Sequence, residues 1–112
     1  MTTPEGKIKD RIDRELGKHA PALFYHKPVQ NGMGKPILDY VCCFYSYYFA
    51  IEAKAEDKDL TQRQQDTRDQ ILIAGGTVFR VRDDAELDLL RNWLNGIVNG
   101  DSAVVLGVYI HA

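Results

Sequence analysis

The sequence predicts a single α/β domain, in which one mixed sheet is flanked by helices. Two adjoining segments, residues 37–44 and 47–54, are rich in β-branched and aromatic residues, as strands are. Segments with helical spacing alternate with strands in the order helix, three strands, helix, strand, helix, strand, which is typical of a sheet covered by helices. At 112 residues the chain can build one hydrophobic core, so we expect residues 1–112 to form one domain.

The N-terminal segment, residues 4–18, predicts an amphipathic helix. Thr3 suits the N-cap and Pro4 the first helical position. Glu5 precedes the apolar Ile8 by three residues, so helical spacing places its carboxylate on the apolar stripe, where it needs a partner. The alternative is an ordinary first-turn acid that interacts with the helix dipole.

The other elements are bounded by turn residues or capping residues. They are a strand over residues 24–28, a helix capped by Thr61 that runs to about residue 74, a strand over 77–81, a helix from Asp83 or Asp84 to about Asn95, and a strand over 103–110.

The composition excludes several classes of protein. No apolar run approaches the roughly 20 residues that cross a bilayer, and the N-terminus lacks the apolar core of a signal peptide. We therefore expect a cytoplasmic protein without membrane contact.

Cys42 and Cys43 are adjacent, and we expect two buried thiols, not a disulfide or a zinc site. The net charge of −2 neither supports nor excludes nucleic-acid binding.

Three charged residues interrupt the two apolar strands. Asp39 lies in the first, and Glu52 and Lys54 lie in the second. Because side chains alternate along a strand, Glu52 and Lys54 project from one face. Only two residues separate the strands, so we expect an antiparallel hairpin in which Asp39 can lie beside Glu52.

These charges have two interpretations, because a buried charge is costly unless it is paired or bound to a metal. Lys54 could form a simple ion pair with Glu52 or Asp39 at the sheet edge. Alternatively, the two carboxylates could converge on a hard divalent cation. A lysine beside such a cation suits phosphodiester hydrolysis, where it can orient water or stabilise charge on phosphate. The spacing alone leaves both interpretations open.

The sequence around these charges carries a resemblance. Its parts are residues 34–39 (Gly-Lys-Pro-Ile-Leu-Asp), 49–55 (Phe-Ala-Ile-Glu-Ala-Lys-Ala), 60–64 (Leu-Thr-Gln-Arg-Gln) and 74–81 (Ala-Gly-Gly-Thr-Val-Phe-Arg-Val). The first two resemble the PD-(D/E)XK nuclease signature, and the whole is similar to the VRR-NUC family over roughly residues 5–94. Pro36 is not contiguous with Asp39, and the family's Val-Arg-Arg-like ending appears only as Val81-Arg82-Asp83. Neither departure removes a predicted metal ligand.

The resemblance implies a restriction-endonuclease-like fold and a metal-dependent DNA endonuclease of the short stand-alone type found in phages and prophages. It implies that Asp39 and Glu52 bind Mg²⁺ or Mn²⁺ with the backbone carbonyl of Ala53. Lys54 would be the catalytic lysine, and Gln64 would face the site and contact phosphate or water. The resemblance further implies that Glu5 joins the metal site, directly or through water.

The expected partner is DNA, either duplex or branched, such as a Holliday junction. Four side chains near the proposed centre are candidates for DNA contacts, although each is also explained as a solvated charge or, for the histidine, as a packed strand residue. They are Lys35, His26, Lys27 and Arg63.

We also expect a homodimer, because a two-fold dimer would present two active sites to two DNA strands. The tyrosine-rich hairpin and residues 103–110 could form its interface. Two other functions stay open: a non-catalytic nucleic-acid-binding module that retains the nuclease fold, and a structural dimer whose charges are ordinary ion pairs.

Overall fold

The computed structural model describes residues 3–30, 32 and 34–100. Within them the predicted α/β class and the order of the elements are confirmed, while the predicted strand over 103–110 lies outside the described residues. The elements are α1 (Pro4–Gly17), β1 (Leu23–His26), β2 (Tyr40–Phe44), β3 (Tyr47–Ala53), α2 (Gln62–Ile73), β4 (Thr77–Val81) and α3 (Asp84–Asn99).

The four described strands form one mixed sheet in the order β1-β2-β3-β4. Strand β2 pairs in an antiparallel manner with both β1 and β3, and β4 pairs in parallel with β3. The β2–β3 hairpin turns at Tyr45 and Ser46, whose φ angles of 48° and 73° are both left-handed. A two-residue turn of this kind matches the twist of the paired strands, which offsets the cost of placing two non-glycine residues there.

Helices cover both faces of the sheet. The larger core cluster lies between the sheet and helices α1 and α3, and it contains Phe49, Phe79 and Trp93 in edge-to-face contact. A smaller cluster on the other face includes Ala50 and is covered by side chains of α2. Because side chains alternate along β3, Glu52 shares the α2 face with Ala50. The fold therefore directs the Glu52 carboxylate towards the start of α2.

Strand β1 spans Leu23–His26 instead of the predicted 24–28, and two other boundary differences have a clear physical reason. Strand β2 begins at Tyr40 instead of residue 37, because the backbone N–H of Asp39 donates to the Glu52 carboxylate and not to the strand ladder. Helix α3 continues to Asn99, beyond the predicted Asn95, because Gly100 supplies a left-handed C-cap with a φ of 72°.

The prediction that both cysteines are buried was wrong. Cys42 is buried, but Cys43 is exposed, because the two neighbouring side chains point to opposite faces of β2. Among the described residues, no helix combines the length and apolarity that a membrane span requires.

Candidate active site

Asp39 and Glu52 meet at the end of the β2–β3 ladder. The register that pairs Tyr40 with Ile51 places Asp39 opposite Glu52 when it continues by one residue, as the hairpin predicted. Two reciprocal hydrogen bonds fix this arrangement. The Asp39 N–H donates to Glu52 Oε1 at 3.0 Å, and the Ala53 N–H donates to Asp39 Oδ2 at 3.0 Å. The backbone thus holds two carboxylates side by side with their orientations set.

Gln64 reaches the same centre from the first turn of α2. Its Nε2 donates to Glu52 Oε2 at 2.9 Å, while its Oε1 accepts from the Thr61 N–H at 3.0 Å. The Thr61 hydroxyl accepts from the Gln64 N–H in return, which completes a capping box. Both polar atoms of the Gln64 side-chain amide are therefore hydrogen-bonded. Both carboxylate oxygens of Glu52 accept a hydrogen bond, one from Asp39 and one from Gln64.

The surroundings of Glu52 disfavour its ionised form. Glu52 is 4% exposed, and its pKa is raised to about 8 by burial and by the negative charge of Asp39. The hydrogen bond from the Asp39 backbone and the positive charge of Lys54 lower the pKa of Glu52, but burial and the Asp39 charge outweigh them. A further positive charge is what such a site lacks, and a bound cation would supply it.

Lys54 directly follows β3, and its backbone N–H donates to the Val81 carbonyl at 3.0 Å. Its side chain is half-buried and forms no ion pair within the described ranges. The pairing of Lys54 with Glu52 or Asp39, which the spacing left open, therefore does not form there. The positive charge of Lys54 lowers the pKa of Glu52, although no ion pair joins the two side chains in these ranges.

A residue that the sequence analysis did not consider, Lys9 on α1, also contacts the site. Its Nζ lies 3.8 Å from Asp39 Oδ1 and 3.4 Å from Glu5 Oε2. Only the spacing of Glu5 and Lys9, one helical turn apart, could have suggested that these two residues form a pair. That Lys9 also reaches Asp39 depends on how α1 packs, which the sequence alone does not give.

Glu5 does not lie on the buried stripe of α1, so that expectation was wrong. Its side chain is 43% exposed and pairs with Lys9 at the margin of the helix. The buried acidic residue of α1 is Glu15, whose Oε1 accepts from Arg91 at 2.9 Å. Glu5 and Asp39 both contact Lys9, and the predicted role of Glu5 at a metal stays a prediction.

The structure separates the four candidates for DNA contacts into two groups. Lys35 and Arg63 line an open cleft together with Gln64, between the loop before β2 and the start of α2. Lys27 instead pairs with Asp13 at 3.0 Å, on α1. His26 is exposed on the edge strand β1, so it is not a packed strand residue. Lys35 and Arg63 are thus the two candidates that share a surface with the carboxylates' partner Gln64.

The donor atoms at the centre suit a hard cation. Asp39 and Glu52 offer carboxylate oxygens, and the backbone carbonyl of Ala53 adjoins them in sequence. In the part of the chain that the structure describes, no group of three or more His, Cys, Asp or Glu residues converges. Two carboxylates are enough for Mg²⁺ or Mn²⁺, which retain several water ligands, whereas a structural zinc site needs four protein ligands.

Comparison with known proteins identifies the architecture. No protein-family model matches this chain, and no curated protein matches it. A solved structure described as a VRR_NUC domain aligns with 89% of this chain and 99% of its own, with a TM-score of 0.61 and 14% sequence identity. The chain has the VRR_NUC fold. The predicted fold class is therefore confirmed, and the roles of individual residues depend on the geometry described above.

The raised pKa of Glu52 predicts a pH dependence of stability within this VRR_NUC fold. A folded-state pKa of about 8 against an ordinary value of 4.5 means that the folded chain binds the extra proton between these pH values. The stabilising contribution of protonated Glu52 to the folded state is fully present below about pH 4.5. It is lost as the pH rises through 8. Without divalent cations, we expect this loss to be on the order of 4 kcal/mol.

Thermal unfolding in EDTA from pH 4.5 to 8.5 measures this effect. Glu52→Gln should flatten the pH slope of the unfolding free energy, whatever it does to absolute stability. Glu56→Gln, in the exposed loop after β3, should keep the wild-type slope. An unchanged slope in Glu52→Gln would show that another group causes it.

Proposed function

We propose that this protein is a metal-dependent endonuclease that hydrolyses phosphodiester bonds in DNA. The observation that carries the proposal is the pair of carboxylates, Asp39 and Glu52, which backbone hydrogen bonds hold side by side with Glu52 buried. The positive charge of Lys54 acts on Glu52 without an ion pair in the described ranges. The VRR_NUC fold supports a nuclease-type domain.

Asp39, Glu52 and the Ala53 carbonyl would hold Mg²⁺ or Mn²⁺. When bound, such an ion activates water and stabilises charge on the phosphate. The Ala53 N–H keeps Asp39 oriented, and Gln64 keeps Glu52 oriented. Because these side chains are fixed before substrate arrives, little reorganisation is needed during the reaction. Glu5, which shares the Lys9 ammonium with Asp39, would join the metal site directly or through water.

Lys54 would act on the substrate itself. An amine that is not neutralised by a protein carboxylate can donate hydrogen bonds to a phosphate oxygen as negative charge develops there, or orient the attacking water. The backbone N–H of Lys54 donates to the Val81 carbonyl, so the backbone position of Lys54 does not depend on the contacts of its side chain.

The cleft beside Gln64 supports DNA as the substrate class. Lys35 and Arg63 bring two positive charges to its walls, which suits the phosphate backbone of duplex or branched DNA. Exposed tyrosines of the β2–β3 turn, with Tyr45 at 60% and Tyr48 at 42% exposure, offer a surface for a two-fold homodimer. Such a dimer would present two centres to the strands of a junction.

Cleavage assays on linear, nicked and four-way-junction DNA test the function, each with Mg²⁺, Mn²⁺ or EDTA. We expect cleavage with either metal and none in EDTA, with the branched substrate cut fastest. Binding without cleavage under either metal would favour a non-catalytic nucleic-acid-binding module. Absence of both would favour a structural protein whose charges are ordinary ion pairs.

The two charges of the cleft should contribute to DNA affinity through phosphate contacts. Arg63→Gln and Lys35→Gln should each weaken binding equally for different DNA sequences, and each should reduce the slope of log affinity against log salt by about 1. Lys27→Gln is the matched control, because Lys27 is paired with Asp13 away from the cleft. Fluorescence anisotropy across a salt series measures all three. Equal slopes in all variants would place the DNA elsewhere.

A further inference from the structure

Lys9 lies at the side-chain oxygen of Asp39 that accepts no backbone hydrogen bond from the described residues. Asp39 Oδ2 accepts the Ala53 N–H, and Lys9 Nζ lies 3.8 Å from Asp39 Oδ1. Oδ1 is therefore the Asp39 oxygen that we expect to bind a cation, and in this structure it contacts the Lys9 ammonium.

The contact between Lys9 and Asp39 has the features of an interaction that can be exchanged. At 3.8 Å it is longer than a hydrogen bond, and the Lys9 side chain is 37% exposed. The same ammonium lies closer to Glu5, at 3.4 Å, one helical turn away and also exposed. If Lys9 left Asp39, its flexible stem would still allow the Glu5 contact, so moving away would cost little.

We propose that Lys9 is an exchangeable counter-cation of the site. Its ammonium neutralises Asp39 in the metal-free protein and leaves Asp39 when a divalent cation binds, retaining its contact with Glu5. This inference rests on the proposed metal-dependent function. Lys9 would act on the metal affinity through its contact with Asp39. Two cations cannot both lie at Asp39 Oδ1 without strong repulsion, so Lys9 competes with the metal and lowers its affinity.

Isothermal titration with Mn²⁺ in the absence of DNA tests the competition directly. Lys9→Gln should bind Mn²⁺ about three- to tenfold more tightly than the wild type, because the competing charge is gone. Lys9→Arg keeps the charge and should stay close to the wild-type affinity. Lys7→Gln is the control, because Lys7 is an exposed lysine of the same helix outside the site.

Thermal unfolding in EDTA is the second readout. Loss of the counter-cation should lower the melting temperature of Lys9→Gln below that of Lys7→Gln, and Mn²⁺ should raise it by more than it raises the wild type. Equal or weaker Mn²⁺ affinity in Lys9→Gln, with clear binding by the wild type, would overturn the exchange and leave the nuclease function standing. No Mn²⁺ binding by the wild type would overturn both.

Discussion

Lys54→Ala should lower the rate of DNA cleavage by about 10²–10³-fold, the usual effect of removing one donor that stabilises transition-state charge. The fold should be unaffected, because the Lys54 backbone N–H still donates to Val81 and the side chain forms no ion pair in the described ranges. Divalent-cation affinity should not fall, because the residue removed is a cation. The loss should therefore appear in kcat more than in KM.

Single-turnover cleavage with saturating Mg²⁺ measures the effect of Lys54→Ala. Lys58→Ala is the matched control, because Lys58 is an exposed lysine in the same loop after β3. We expect it to cleave at the wild-type rate. If Lys54→Ala also kept the wild-type rate, the catalytic assignment of Lys54 would be wrong even if the metal site were correct.

The pairing of Asp39 with Glu52 could be predicted because it depends on local geometry. A two-residue connection fixes the register of a hairpin, and alternation then decides which side chains share a face. The capping box at Thr61 is local as well, since its two partners are three residues apart. That Gln64 also reaches Glu52 depends on where α2 docks, and the resemblance implied only that Gln64 faces the site.

The sequence alone does not distinguish the buried charge of Arg80 on β4 from that of Glu52 on β3. Arg80 on β4 lies next to Glu52 in the strand register, and it is likewise buried. Arg80 donates to Asp59 at 2.8 Å and to Glu86 at 2.5 Å, so it belongs to a structural ion-pair network. Its partners come from a distant loop and helix, which no local pattern specifies. Two buried strand charges thus look alike in sequence and differ only through long-range packing.

The same limit applies to α1. Helical spacing correctly predicts the buried residues Ile8 and Ile12, but it placed Glu5 on their stripe, where the structure has a half-exposed carboxylate. The approach of Lys9 to Asp39 depends on the angle at which α1 crosses the sheet, and that angle results from packing in the main core. Spacing along one helix carries no information about it.

Asp39→Asn should abolish metal binding and cleavage while making the metal-free protein more stable at high pH. An asparagine oxygen can still accept the Ala53 N–H, so the backbone hydrogen bond is retained. The negative charge next to Glu52 is lost, and that charge is a leading cause of the raised pKa of Glu52. At pH 8.5, where Glu52 is largely ionised, we expect stabilisation on the order of 1 kcal/mol, or about 4 °C in Tm.

Calorimetry at pH 8.5 in EDTA, and again with Mn²⁺, measures both effects. In the wild type, Mn²⁺ at ten times its Kd should add about 1.4 kcal/mol of stability, and in Asp39→Asn this increment should vanish. Asp57→Asn, in the exposed loop after β3, should behave as the wild type in both conditions.

The change of Tm in EDTA compares the repulsion between Asp39 and Glu52 with the attraction between Asp39 and Lys9. The Lys9 contact is 3.8 Å long and its lysine is exposed, so losing it in Asp39→Asn should cost little, and the Tm should fall only if the repulsion is weaker still. If the two carboxylates form a cation site, the wild type without metal is held in a repulsive arrangement, and neutralising one of them relieves it. A lower Tm in EDTA, together with an unchanged response to Mn²⁺, would therefore contradict the metal site at its centre.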